Sequence, residues 1–401
     1  MQEFFQVVSL LEGQRLINQV LHPGVEEIGL INAVGRVLAE PVVSREELPG
    51  FSRSSVDGYA VAAVDTYGAS EGLPTYLDFR GYINIGQVPP GPIGGGECMY
   101  VPTGGMLPIG ADAVVMLEYT EMLGEDTMLA SRAASPGENV VYQGEDVKSG
   151  EQVYPVGYIL RPQDIGVLAA LGVNSVKVVA KLRVGIISSG DEVVPPDQKP
   201  ILAQVRDING YVLTAACRAH GAQATFYGIV GDDFSQLKSV LHQAVNENDL
   251  VLMSGGSSVG LKDMSLQAML DLPAAKLLFH GLAVKPGKPT LAVQCADKLV
   301  IGLPGHPVSA YMMYEVLVRP LLDQRLRHSV TATLTANLPS AAGRDDLVRV
   351  ILSQGPDGLL AAPVWGKSGL MRVMTRADGY VHITAEPQGI LAGQLATVWL
   401  F

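Results

Sequence analysis

Residues 249–263 read DLVLMSGGSSVGLKD: an apolar strand, then a glycine-rich loop, then an acid where a helix is due to begin. A strand without period-two alternation belongs inside a sheet covered on both faces. Backbone N–H groups freed by Gly255, Gly256 and Gly260 can converge on a tetrahedral oxyanion, and a helix starting near Asp263 adds its positive dipole end. Such loops are also common as plain tight turns. The weight comes from two further stretches, KPGKP at 285–289 and GLPGHPVSA at 302–310, each closing or following another buried strand.

Outward from this stretch the rhythm is strand, helix, strand, helix. RVGIISSG (183–190) precedes DINGYVLTAACRAHG (207–221), with Gly221 as helix stop, and ATFYGIV (224–230) precedes FSQLKSVLHQAVNEN (234–248). A helix over 264–271, the strand KLVIGLPG (298–305) and a long helix from Pro307, a residue suited to the first helical position, complete the series. The alternation predicts a parallel sheet with helices on both faces, and places ligands at the carboxyl ends of its strands. The loops SSGDE, GDD, SGGSSVG and LPGHP all fall there.

The flanks differ. Ser9 followed by Glu12 predicts a capping box, with Leu16, Ile17, Val20 and Leu21 on one helical face until Pro23. From about Phe51 to Asp146 short runs such as AVVMLEYTEM and DTMLAS alternate with GQVPPGPIGGGE and the turn at 124–126, which predicts a β-rich block inserted between extended segments. From about Arg327, TATLTANL, LVRVILSQ, the PDG turn and GQLATVWLF predict a small closing β domain. The expected boundaries are 1–24 with 181–326, 25–45 with 147–180, 46–146, and 327–401.

The chain has 401 residues, 48% hydrophobic and 17% charged, with no apolar run near the roughly 18 residues needed to span a bilayer. The N-terminus lacks a basic region before an apolar core, so no secretory signal is expected. Three cysteines at 98, 217 and 295 are too scattered for a disulfide framework or a cysteine metal knuckle, which fits a reducing cytoplasm. A net charge of −12 argues against nucleic acid as a partner, so any anionic ligand must be captured locally.

Asp191 with Glu192, Asp232 with Asp233, and Asp263 all lie in or beside the strand-end loops. Carboxylates around an oxyanion loop repel the anion unless a hard cation lies between them, and Mg²⁺ is commonly held by one or two carboxylates and water. Asp233 and Asp263 equally suit helix caps, and one residue can do both. Lys285 and Lys288 flank a Pro-Gly pair and can aim both ammonium groups at one place, or can be a solvated turn. Asp57 beside Gly58, Thr103 ahead of two glycines, and Asp146 in QGEDVKSG each have a plain turn as their alternative. The seven histidines do not fall at metal-ligand spacing; His306 suits loop packing or catalysis. A nucleophile elbow, a P-loop and a dinucleotide fingerprint are all missing, which excludes serine hydrolases of that type, P-loop NTPases and ordinary dehydrogenases.

Taken in order, FSRSSVDGYAV, PTGGMLPIGADAVV, GEDVKSG, SSGDEV, SGGSSVGLKD, KPGKP, GLPGHPVSA and GKSGLMRVMTRADGY resemble the molybdopterin molybdotransferase family, which includes the E domain of gephyrin. The resemblance spans nearly the whole chain. It implies an α/β plus β multidomain fold: a MogA-like three-layer parallel-sheet domain, a β-rich inserted domain and a C-terminal β-barrel-like domain. It further implies insertion of molybdate (or tungstate) into adenylylated molybdopterin with release of AMP, by a homodimer whose sites lie between the sheet domain of one chain and the β-rich domain of the other.

The catalytic residues it implies are Asp57, Thr103, Asp146, Glu192, Asp232, Asp263 and Lys285. Ser254, Gly255, Gly256, Ser257, Ser258, Gly260, Lys288, Pro304, Gly305 and Ser368 are its substrate-binding set, and Mg²⁺ falls to Glu192, Asp232 and Asp263. The upstream adenylyltransferase enters as a partner, and a non-catalytic gephyrin-like scaffold is the alternative reading. Many members read DNSAMDGYA and LPGNPVS where this chain has SRSSVDGYA and LPGHPVS, and some carry a lysine at the position of Gly281; these departures bear on the family's substrate contacts at Arg53, Gly281 and His306 and on the choice of molybdate or tungstate.

Overall fold

The computed structural model describes residues 7–255, 264–323, 325, 327–386 and 388–401. The chain divides into two compact units, one formed by the chain up to Gly24 together with Ala180–Phe401, the other by Val25–Val179.

The first unit is built on a six-stranded sheet: β1 Arg183–Ser189, β2 Gln223–Val230, β3 Leu250–Ser254, β4 Ala275–His280, β5 Leu291–Cys295 and β6 Lys298–Leu303, in the order β2-β1-β3-β6-β5-β4. Strands β2, β1, β3 and β6 are parallel, but at one edge β5 pairs antiparallel with β6, and β4 antiparallel with β5. The parallel sheet expected from the alternation is therefore a mixed one. The short turn at 296–297 joins β5 directly to β6, and a connection that short permits only an antiparallel partner.

Every residue of β3 is buried because both faces are covered. Val184, Ile186, Leu252 and Ile301 pack with the helices Leu10–Asn18, Asn209–Ala219 and Pro307–Met313. Ile187, Val251, Met253 and Val300 pack with Phe234–Glu247 and Met264–Leu270. Burying each such aliphatic side chain contributes about 1.5–3 kcal/mol.

The N-terminal helix stops at Asn18, so Val20 and Leu21 enter the core from the following turn and not from the helical face. Ser9 Oγ accepts from the Glu12 N–H, but the Glu12 carboxylate pairs with Arg15, leaving half of the expected capping box. The helix from Pro307 widens into a π-turn over Tyr314–Val318 before Pro320. Proline offers no N–H to the Val316 carbonyl, which instead accepts from the Gln14 side chain at 2.9 Å.

In the C-terminal part Asp345–Gly355, Gly358–Pro363, Ser329–Leu334, Leu395–Leu400 and Gly379–Ile383 pair in that order, and Gly379–Ile383 returns to Asp345–Gly355, closing a five-stranded barrel. Leu334, Val350, Ala361, Val381 and Val398 fill its interior. The short strand Val284–Lys285 adds in parallel to Asp345–Asp346. Glu315, fully buried, accepts through Oε2 from Arg319 at 2.8 Å and Arg327 at 3.0 Å, tying the last helix to the entrance of the barrel.

The second unit contains a six-stranded sheet in the order Ala113–Met116, Gly58–Val61, Glu97–Val101, Thr75–Tyr82, Thr127–Ala130, Thr120–Leu123. Beside it, Val25–Gly29 pairs antiparallel with Ser175–Val179 over a small core that includes Leu38, Leu160 and Leu168. Among the described residues no helix is long and apolar enough to cross a membrane.

Candidate functional site

The carboxyl ends of the parallel strands open onto a cavity of about 640 Å³ lined by Ser189, Glu192, Asp207, Asn209, Ser254, Gly255, Pro304, Gly305 and His306. The size suits a small organic ligand. Gly255 has φ +102°, and a Cβ there would stand 2.1 Å from the Ser189 carbonyl oxygen, so the strand can leave the sheet at this point only as glycine. Gly256, Ser257, Ser258, Gly260 and Asp263 lie outside the described residues. Asp207 accepts from the Ser188 hydroxyl and the Gly210 N–H. Among the described residues Asn209 Oδ1 and Ser254 Oγ are buried with no hydrogen-bond partner.

Beside Glu192, the Asp191 carboxylate accepts from the Asp232 N–H at 2.8 Å. Partial desolvation, then the charges of Asp191 and Glu192, push the Asp232 carboxyl above its usual range. Like charges gathered this way suit a hard cation held by one or two carboxylates and water. Among the described residues no three His, Cys, Asp or Glu side chains form a complete metal site. Asp233 caps Phe234–Glu247 by accepting from the Gln236 N–H at 2.7 Å.

A second cavity, of about 750 Å³, is lined by Lys285, Lys288, Arg344, Asp346, Arg349 and Ser368 among others. Five cationic side chains, Lys367 among them, meet one carboxylate there in a chain of net charge −12. Gly287 lets the turn between the two lysines lie against Met313: its φ is +121° and a Cβ would be 2.4 Å from the sulfur. Arg344 is held by Asp346, which also accepts from Ser340. Arg349 is 8% exposed, its Nη2 reaches two carbonyls only at 3.4 Å, and its Nε has no partner among the described residues. Burial pushes its pKa down, yet a guanidinium stays charged at neutral pH. Arg344 and Arg349 were not singled out from the sequence. The available signal was a charge inside the apolar run LVRVIL, where burial demands a partner.

In the second unit Asp57 ends a bend and Gly58 begins a central strand, where a Cβ would lie 2.2 Å from the Val115 carbonyl oxygen. The pair is thus not a turn. Asp57 Oδ1 accepts from the Thr103 N–H at 2.7 Å and the Thr103 hydroxyl at 2.9 Å. These two donors, the backbone one first, hold the carboxyl below its usual range. Asp146 is exposed, and its N–H donates to the Leu48 carbonyl. Removing the hydroxyl with Thr103→Val is expected to raise the Asp57 pKa partway towards the ordinary carboxylate value, as read from a carboxyl ¹³C NMR titration. The stability contributed by this lowered pKa is present above the unfolded pKa and lost as pH falls through the folded one, so the variant loses it at a higher pH.

The first unit is thus an α/β sheet domain joined to a small β-barrel, with one cavity at the strand ends and a second, cation-lined one beside the barrel. Profiles described as the MoeA N-terminal region (domain I and II), "Probable molybdopterin binding domain" and the MoeA C-terminal region (domain IV) match residues 8–172, 185–324 and 331–401. The molybdopterin molybdenumtransferase of Bacillus subtilis is 30% identical over 385 residues, covering 94% of this chain and 89% of that protein. That of Staphylococcus aureus is 29% identical over 394 residues, covering 96% and 94%. The crystal structure of the molybdopterin biosynthesis MoeA protein from Pyrococcus horikosii superimposes with a TM-score of 0.86 at 35% identity, covering 98% of this chain and 99% of that one. The chain belongs to the MoeA family.

Proposed function

We propose that this protein is a molybdopterin molybdotransferase that inserts molybdate or tungstate into adenylylated molybdopterin with release of AMP. The single observation that carries the reading beyond family membership is the cavity that gathers Lys285, Lys288, Arg344 and Arg349. These cations and the Ser368 hydroxyl would bind the incoming oxyanion and phosphate oxygens by charge-assisted hydrogen bonds. The loop from Ser254 through Gly255, Gly256, Ser257, Ser258 and Gly260, with Pro304 and Gly305, would hold the substrate's remaining phosphate and pterin portion.

Glu192 and Asp232, joined by Asp263, would hold Mg²⁺; such an ion supplies stabilisation of the charge that develops as the phosphate anhydride is cleaved. Asp57, fixed by Thr103 in an acceptor-only state, and Asp146 would orient substrate from the second unit. We place the protein in the cytoplasm as a homodimer, each site completed by the partner's second unit, and in sequence after an adenylyltransferase that supplies its substrate.

The test is incubation of purified protein with adenylylated molybdopterin, Mg²⁺ and either oxyanion, followed by AMP release and reconstitution of a cofactor-free molybdoenzyme. Oxyanion-dependent AMP release with active cofactor is the expected result. Tight binding without turnover would replace the transferase with the scaffold reading.

A further inference from the structure

The two cavities of the first unit meet at one polar contact. His306 lines the strand-end cavity and Ser368 the cation-lined one, and the His306 Nδ1 stands 3.0 Å from the Ser368 hydroxyl. Both backbones are fixed. His306 is the N-cap residue of Pro307–Met313, with Pro307 locking the next position, and the Ser368 carbonyl accepts from the Val308 N–H at 3.0 Å. With both backbones held, the position of the proton between ring and hydroxyl decides which of the two donates.

A serine hydroxyl has one hydrogen to give and lone pairs to accept with, while an imidazole nitrogen is an acceptor when bare and a donor when protonated. A bare Nδ1 takes the Ser368 hydrogen and leaves oxygen lone pairs towards the cavity, which an oxyanion avoids. A protonated Nδ1 donates to Ser368 Oγ and frees the hydroxyl hydrogen for the anion. We infer that His306 is a positioning residue which sets the direction of the Ser368 hydroxyl, so that oxyanion capture in the cation-lined cavity puts a hydrogen on Nδ1, one taken up from solvent where Nε2 keeps its own.

Resting on the anion-cavity reading above, the coupling has a plain electrostatic setting. Glu192, Arg206 and Asp207 face His306 across the strand-end cavity. The five cavity cations, Lys367 among them, and Asp346 lie on the Ser368 side.

Calorimetric titration of the purified protein with molybdate, in two buffers of different ionisation enthalpy between about pH 6 and 8, reads the proton count directly. In the wild type the affinity is expected to fall several-fold across this range, with up to about one proton taken up per anion. His306→Asn, which keeps a polar side chain of similar reach but cannot titrate, is expected to bind with no uptake and a flat profile. Ser368→Ala, with His306 intact, is expected to lose the slope as well. A slope retained in Ser368→Ala would show that His306 acts only as a nearby charge and would overturn the inference, as would pH-independent binding in the wild type. Absence of molybdate binding at every pH would overturn the cavity reading together with this one, so the two failures are distinct. Unchanged thermal unfolding of both variants checks that they are folded.

Discussion

Arg349→Met is expected to leave the chain folded and at least as heat-stable as the wild type while weakening oxyanion capture by about 2–4 kcal/mol, or roughly 30- to 1,000-fold. The two halves of this result have one cause. A guanidinium that is 8% exposed, with an unpartnered Nε and only 3.4 Å contacts to two carbonyls, has lost hydration without gaining a carboxylate. Its burial therefore costs stability in the empty protein. Methionine fills comparable volume with an adaptable apolar chain and removes that cost. An anion arriving in the cavity meets a desolvated cation, for which the attraction is screened far less than at a surface. Calorimetric unfolding with molybdate titration measures both quantities. A lowered melting temperature with unaltered binding would make Arg349 a structural residue and remove it from the site.

Glu315→Ala is expected to have the opposite profile, a loss of about 3–5 kcal/mol in stability, because two arginines that share one carboxylate oxygen are left facing each other inside the protein. At roughly 2–4 °C per kcal/mol for a unit of this size, the melting temperature should fall by about 6–20 °C. Replacing the whole triad with leucine at 315 and methionine at 319 and 327 should recover most of the loss, since the penalty comes from unpaired charge and not from missing volume. Arg327 also lies over the Tyr380 and Trp399 rings, so the recovery should be incomplete by about 0.5–1 kcal/mol per ring contact. A single variant melting within about 2 °C of the wild type would mean that water reaches the triad.

The parts of the fold legible in the sequence are those in which one local rule acts alone. Strand β3 is apolar at every position because both its faces are covered, and Gly221 ends its helix in the left-handed conformation, with φ +87°. A buried strand beside KPGKP is legible in the sequence, but the antiparallel direction of the edge pair β4 and β5 is not. AKLLFH and LAVQC are short apolar runs whose direction depends on the tight turn at 296–297, and apolar periodicity carries no direction. The strand-end acids could be read as neighbours because topology brings those loops to one end of the sheet, but the two lysines lie in the other cavity. Arg344 and Arg349 could not, since only closure of the barrel brings Asp345–Gly355 beside Val284–Lys285. His306 was seen as a loop residue; its Ser368 partner is 62 positions away and no local pattern links them.

The pairing of Val284–Lys285 with Asp345–Asp346 carries a further meaning. Like charges repel one another, and side chains left to themselves would spread apart. Here a main-chain ladder fixes the lysine turn against the arginine-bearing strand, so the work of assembling the charges is completed as the chain folds. An incoming anion then meets a preorganised receptor and spends little of its interaction energy on reorganisation. Selection between oxyanions of equal charge then falls to size and to the number of donors each can engage.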